Sequence, residues 1–224
     1  MEAEAGHQAQ DLVIRVFACT AEVAMQLLGR GRFKAYPRHA LVLRAGDALS
    51  ATWLVVVGRA QALLYSSEGQ TVFLQDYGPG DLFGALGDLD RPCQEADVLA
   101  VDPLTTLILD GAELVLLAER HGSIGLALSR MLLRRLRQTH SRMYERAALT
   151  AVGRVYAELL RQARDGDGRT IRPAPILSEV ALRVATTRET ASRAVSALER
   201  RGIVRRDESA LIIVAPQRLE EMVL

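Results

Sequence analysis

The chain has 224 residues, 25% charged and 49% hydrophobic, with a formal net charge of +1. That length suits one large or two modest domains of an ordinary globular protein. No run approaches 18 consecutive apolar residues, so no membrane partner is expected, and two cysteines are too few for a disulfide framework.

The first residues, Met-Glu-Ala-Glu-Ala-Gly-His-Gln, are polar and acidic. They have neither the basic n-region nor the apolar core of a secretory signal, so a cytoplasmic location is expected. Cys19 and Cys93 fit a reducing compartment and read as core or surface residues.

Residues 33–110 alternate short apolar runs with turn signals. Leu41–Leu43 precedes Ala45-Gly46-Asp47, Trp53–Val57 precedes Gly58-Arg59, and Ala60–Tyr65 precedes Ser66-Ser67-Glu68-Gly69. Thr71–Leu74 precedes Tyr77-Gly78-Pro79-Gly80-Asp81, and Val98–Val101 with Thr105–Leu109 complete the set. Short strands with glycine turns at this spacing predict an antiparallel sandwich or barrel.

A long helical pattern follows, from about Glu113 to Arg146, weakened early by Gly122 and Gly125. From Gly125 a 3/4 spacing runs through Ser129, Leu132, Leu136, Thr139 and Met143, with Arg130, Arg134, Arg135, Arg137 and Arg142 assigned to the opposite side. A narrow apolar seam on so basic a helix predicts a homodimer coiled coil along Leu132, Leu136, Thr139 and Met143. Packing of the same helix on its own barrel is the other reading, and Leu128 and Leu133 broaden the apolar face enough for both contacts. A second helix is predicted from Ala151 to Arg164, ended by Asp165-Gly166-Asp167-Gly168.

The C-terminal segment carries the densest chemistry. Leu177 to Ala185 predicts a short helix, and Thr187 is placed to cap the next one. There Ala191, Ala194, Val195 and Leu198 recur at core spacing, which turns Arg188, Glu189, Ser192 and Arg193 largely outward. Gly202 stops the helix after Arg200-Arg201. Ile203–Arg206 and Ala210–Val214 read as strands around an Asp207-Glu208-Ser209 turn. Helix, turn, helix and hairpin make a winged helix-turn-helix. Arginine offers a bidentate fork to guanine in the major groove, and glutamate accepts from cytosine. Thr187 and Thr190 flank these base-reading residues, and Arg205 and Arg206 fall near the wing, where phosphates lie.

Charge follows the same division. Residues 1–129 hold 9 basic and 16 acidic residues, 130–149 hold 6 and 1, and 150–224 hold 13 and 10. The basic excess therefore lies in the C-terminal half, as binding to double-stranded DNA requires. Lys34 is the only lysine. No Ser/His/Asp order, metal-ligand spacing or Walker loop is present, so neither an enzyme nor a bound metal or cofactor is expected.

This order of elements resembles the CRP/FNR family of bacterial transcription regulators. The resemblance covers about residues 30–215. It rests on Tyr36-Pro37, the Gly-Asp turns, the string Gly80-Asp81-Leu82-Phe83-Gly84-Ala85-Leu86-Gly87, and Arg188-Glu189-Thr190-Ala191-Ser192-Arg193. It implies an α+β chain: a jelly-roll-like antiparallel β-roll over 1–110, a dimerisation helix over 111–149 and a winged helix-turn-helix over 150–224. It further implies a homodimer on a palindrome with TGTGA-like or TTGA-like half-sites, and RNA polymerase as a partner. Arg188, Glu189 and Arg193 match the family's base contacts, and Ser192 matches a serine of its FNR branch.

The effector pocket departs from the family pattern. Between Gly84 and Leu86 a cAMP-binding member carries a glutamate for the ribose, where this chain has Ala85. Gln94 and Glu95 stand where the family's Arg-Ser grips the cyclic phosphate, and a carboxylate there repels a phosphate. Arg91 is near enough in sequence to serve as a substitute clamp. Thr139 aligns with a threonine that meets adenine, and His140 replaces a serine; the pair either lines an altered pocket or packs at the seam. The expectation is a regulator that does not depend on cAMP. Two other readings stay open: control by a cyclic dinucleotide or by a gas at haem, with His39, His121 and His140 as paper ligands, and a signalling module that binds no DNA. Two irregularities are expected in the helix-turn-helix. Ala185 stands where a glycine commonly supplies positive φ, and Ile176 stands at a usual Ser/Thr cap, leaving Ser178 to cap a shortened helix.

Overall fold

The computed structural model describes residues 2–86 and 94–223. Arg91, Cys93 and Gly87 of the string quoted above lie outside the described residues. The chain divides into two compact units, one formed by residues 1–70 with 74–136 and one by residues 71–73 with 137–224. The architecture is α+β.

The first unit opens with two helices that the sequence reading had left unassigned, α1 (Glu2–Phe17) and α2 (Ala21–Arg30). Helix α1 buries Ala9, Leu12, Val13 and Phe17 at i, i+3, i+4 and i+8, one stripe of a 3.6-residue period. Thr20 caps α2 by accepting from the Val23 N–H.

The strands follow as β1 (Arg32–Tyr36), β2 (Leu41–Leu43), β3 (Ala51–Val57), β4 (Ala60–Tyr65), β5 (Thr71–Tyr77), β6 (Leu82–Gly84), β7 (Asp97–Ala100) and β8 (Leu104–Asp110). They form two four-stranded antiparallel sheets, ordered β1-β8-β3-β6 and β2-β7-β4-β5. The register sets Trp53 opposite both Phe83 and Ile108. Val55, Tyr77, Phe83, Val98 and Leu104 share a buried cluster, and the Trp53 and Phe83 rings stack at 5.9 Å between centroids. Strands β1 and β6 were not anticipated. β1 exposes four of its five residues, so it lacks the alternation that marks a half-buried strand.

A second cluster in this unit joins α1 and α2 to Leu54, Leu107 and Leu109 and to the next two helices, α3 (Gly111–Arg120) and α4 (Gly122–Ala148). The single helix expected from Glu113 to Arg146 is therefore broken, at His121. Asp110 caps α3 through Ala112 and Glu113 N–H groups, and His121 ends it with its N–H on the Leu117 carbonyl. Ile124, Ala127 and Met131 of α4 are buried in this cluster. Leu132, Leu136 and Met143 are 55%, 51% and 63% exposed in the single chain, and Thr139 is exposed as well. The first half of α4 thus packs on its own roll while the expected seam stays uncovered.

In the second unit α5 (Ala151–Arg164) ends where the Asp-Gly repeat predicts. A short strand β9 (Thr170–Ile171) precedes α6 (Leu177–Arg183), α7 (Arg188–Arg200), β10 (Val204–Arg206), β11 (Leu211–Ile213) and α8 (Pro216–Glu221). The three strands form one antiparallel sheet, β10-β11-β9. Val155, Leu159, Val180, Val195, Leu198 and Ile213 share the core. Glu158 of α5, 2% exposed, accepts from Arg161, from Gln162 at 2.9 Å and from Arg183 of α6 at 3.5 Å. Arg161 also reaches Glu145 of α4. Burial alone would lower the Arg161 pKa, but Glu158 and Glu145 outweigh it and raise the value. Strand β9 and helix α8 were missed, because two and six residues are too short to show a period.

Candidate nucleic-acid interface and the expected effector residues

Helix α7 exists as a separate element because of its first residue's neighbours. Thr187 is extended (φ −87°, ψ 155°) and its hydroxyl accepts from the Thr190 N–H at 3.2 Å. Ala191, Ala194, Val195 and Leu198 are buried, which fixes the rotation of the helix. Arg188, Glu189 and Arg193 are consequently exposed, with Ser192 and Thr190 at the margin. The structure brings all of the expected base-reading residues onto the first two turns of one helix. At the far end Gly202 adopts φ +65°, and the Ile203 N–H returns to the Leu198 carbonyl at 3.0 Å.

The electrostatics suit a groove reader. The Glu189 carboxyl sits below its usual range because its own backbone N–H and the Thr187 hydroxyl bind it, with Arg188 and Arg193 adding attraction. It is therefore an ionised acceptor, as pairing with a cytosine amine needs. The Arg193 Nε lies 3.4 Å from the Glu189 carbonyl, so its guanidinium is only loosely tethered.

The turn before α7 carries the anticipated strain: Ala185 has φ +51°. The backbone closes on it with Ala185 N–H to Leu182 O at 3.3 Å and Thr186 N–H to Ala181 O at 2.9 Å. Helix α6 ends two residues sooner than expected as a result. Its start at Leu177 is as expected, but the suggested cap is not. Ile176 occupies the cap position with no side-chain hydrogen bond, and Ser178 lies inside the first turn, so it does not cap a shortened helix.

The wing matches its predicted strands, closed by Asp207 N–H to Ala210 O at 2.9 Å. Arg205 and Arg206 are both exposed. They are not equivalent, because Arg206 Nε pairs with Glu199 of α7 at 3.0 Å.

Of the expected effector residues, Gly84, Ala85 and Gln94 serve the roll's own backbone. Gly84 has φ +99°, and a side chain there would collide with the Ala51 carbonyl and the Trp53 ring. Ala85 is buried; its N–H donates to Ala51 O at 2.8 Å and its carbonyl accepts from the Thr52 hydroxyl. Leu86 packs partly into the helix-bearing cluster. The Gln94 amide donates to Ala96 O at 2.6 Å, and its backbone pairs with Gly46 and Asp47. Glu95 is exposed. Thr139 and His140 are exposed on α4, within the second unit.

Arg135 was misassigned to the solvent side of α4. Its guanidinium lies over the Tyr77 ring at 5.2 Å and donates to the Leu82 carbonyl, while its Nε is buried with no hydrogen-bond partner among the described residues. Burial raises the Tyr77 pKa, Arg135 opposes that, and Asp81 and Glu95 reinforce it. The signal was present: Leu128, Arg135, Arg142 and Leu149 repeat every seven residues and are all half-buried, whereas Arg130, Arg134 and Arg137 are exposed.

Residues 153–222 match the Crp-like helix-turn-helix domain family, and residues 33–121 match the cyclic nucleotide-binding domain family. The chain is 30% identical over 191 residues to the cyclic AMP receptor protein of Thermus thermophilus, covering 84% of this chain and 86% of that one. A mutant of CooA from Carboxydothermus hydrogenoformans superposes with a TM-score of 0.78 at 20% identity, covering 89% and 90% of the two chains. The c-di-GMP responsive global regulator CLP from Xanthomonas campestris gives 0.74 at 18%, covering 87% and 99%. At those identities the two structures speak to the fold alone. The family matches and the Thermus relative go further: the chain belongs to the CRP/FNR family of DNA-binding transcription regulators, not enzymes, with a cyclic nucleotide-binding domain ahead of a Crp-like helix-turn-helix.

Proposed function

We propose that this regulator works as a homodimer on a palindrome of TGTGA-like half-sites and does not depend on cAMP. The division carried forward is a roll at 1–110, a dimerisation helix at 111–149 and a DNA-binding domain at 150–224. The observation that carries the DNA reading is the joint exposure of Arg188, Glu189 and Arg193 on the first two turns of α7. Ser192, Thr187 and Thr190 border them, and Arg205, with Arg206 in its ion pair, supplies cations at the wing. Two such helices one DNA turn apart require two chains. The uncovered Leu132, Leu136, Thr139 and Met143 offer the seam that joins them. RNA polymerase is the partner that a promoter-bound regulator of this kind would meet.

The name of the Thermus relative, carried over, would make cAMP the effector. The chemistry of the roll supports the opposite. Ala85 has no acceptor for a ribose, the Gln94 amide is already engaged, and Glu95 adds a negative charge where a phosphate would sit.

The test is fluorescence anisotropy with a TGTGA palindrome and a scrambled duplex at matched salt, with and without millimolar cAMP. The palindrome should bind tighter, equally so in both conditions. Equal binding to the two duplexes would sink the DNA-site reading. A cAMP-dependent gain would overturn the effector reading alone.

A further inference from the structure

Helix α5 carries a side chain that none of the site assignments uses. Arg154, half-buried in its first turn, donates from all three guanidinium nitrogens to main-chain carbonyls. Nη1 reaches Leu149 O at 3.0 Å, Nε reaches Val184 O at 2.8 Å, and Nη2 reaches Ala185 O at 3.2 Å. Leu149 closes the junction between α4 and α5. Val184 and Ala185 form the turn between α6 and α7.

Each of those carbonyls lies just past a helix end, where no N–H of the next turn is available to it. A planar fork reaches the three separate carbonyls from three different nitrogens, whereas an ammonium has all its donors on one nitrogen. The turn needs an external hold. Ala185 sits in the left-handed region that residues with a Cβ avoid. It is also exposed, so packing does little to keep it there. Three residues after Ala185 comes Arg188, the first base-reading side chain. A change in that turn therefore re-aims the helix that carries Arg188, Glu189 and Arg193.

We infer that Arg154 is the positioning residue of the recognition helix: it holds the left-handed turn at Ala185 and ties it to the C-terminal end of the long helix. This rests on the DNA-site reading above. It assigns α5 a part in aiming α7 beyond that of a core helix.

The inference makes Arg154 and Ala185 a coupled pair, because a glycine at 185 adopts the same backbone without help. Arg154→Met keeps the aliphatic stem and removes the donors. It should weaken palindrome binding about tenfold, as loss of charged hydrogen bonds implies, with scrambled-duplex binding unchanged. Amide exchange at Thr186 should accelerate. Ala185→Gly alone should stay within about twofold of wild type, yet recover most of the loss in the Arg154→Met background. Arg154→Lys should fall between the two, and it replaces Arg154→Met in the cycle if the latter does not fold. Melting curves confirm that each variant is folded at the assay temperature. Palindrome binding by Arg154→Met equal to wild type overturns the inference. So does a loss that Ala185→Gly leaves intact, because Arg154 would then act only through general stability. If the wild type fails to prefer the palindrome, the DNA-site reading falls first and this inference falls with it.

Discussion

The recognition helix and the roll site are built on opposite plans. In α7 the residues proposed to read bases all lie on the first two turns of one helix, and four buried residues of the same helix fix which way they face. In the roll, Gly84 and Ala85 on one segment, Gln94 and Glu95 on another and Arg135 on α4 come from distant parts of the chain. There the small residue and the amide maintain the backbone, and an arginine from α4 lies against Tyr77. A site carried by one helix survives as long as the helix keeps its cap and its core. A site assembled across segments depends on each of them, which gives Ala85, where the family's cAMP binders carry glutamate, its weight in the proposed cAMP independence.

The sharpest way to break the comparison is to separate the two chains that the DNA site needs. Leu136→Glu should give monomers in analytical ultracentrifugation. Palindrome affinity should fall on the order of 100-fold or more, the scale of lost avidity. A variant that stays dimeric places the seam elsewhere.

Next in size are Arg188→Ala and Arg193→Ala. Each should cost about 1–3 kcal/mol on the palindrome and much less on scrambled DNA. Glu189→Ala should relax base preference more than it lowers affinity. Equal losses on both duplexes would mean that these residues only meet phosphates.

A smaller effect concerns Asp165, at the C-terminal cap of α5. Burial, and then Glu158, push its carboxyl pKa up. The folded state thus disfavours the carboxylate, and a negative charge also opposes the helix C-terminus. A raised acid pKa means that the folded state holds its proton longer. Asp165 therefore costs stability above its folded pKa and costs nothing below the unfolded value. Asp165→Asn should raise the melting temperature slightly at neutral pH, and the gain should vanish as pH falls through the carboxyl range. A gain that persists in acid would point to packing or to a backbone preference of asparagine, not to the charge.

The smallest expected effect is none at all. Millimolar cAMP should leave the melting temperature unchanged, since only a ligand of the folded state raises it. Ala85→Glu, Gln94→Arg and Glu95→Ser together should create some shift if those positions correspond to the family's cassette. A clear shift in the wild type would make the roll a working nucleotide site and erase the contrast.

What the sequence alone determined lies where the physics is local. Caps, apolar periods and glycine stops are set within a few residues, so α5, α7, the wing hairpin and the outward face of α7 could all be read in advance, while the strained Ala185 was implied by the family resemblance. Most roll strands were legible for the same reason, through apolar runs between turns. Tertiary structure decided the rest. The exposed strand β1 is held by pairing with β8, and β9 by pairing with β11. The break at His121 follows from α3 capping on Asp110 and folding against α4, not from any proline. Arg206 looked free until α7 brought Glu199 beside it. Arg135 was expected on the side of α4 opposite the seam and Arg154 carried no expectation, because a sequence shows that an arginine is present but not which carbonyls lack a donor. Those carbonyls belong to Leu82, Leu149, Val184 and Ala185, and only the folded chain sets them around a guanidinium.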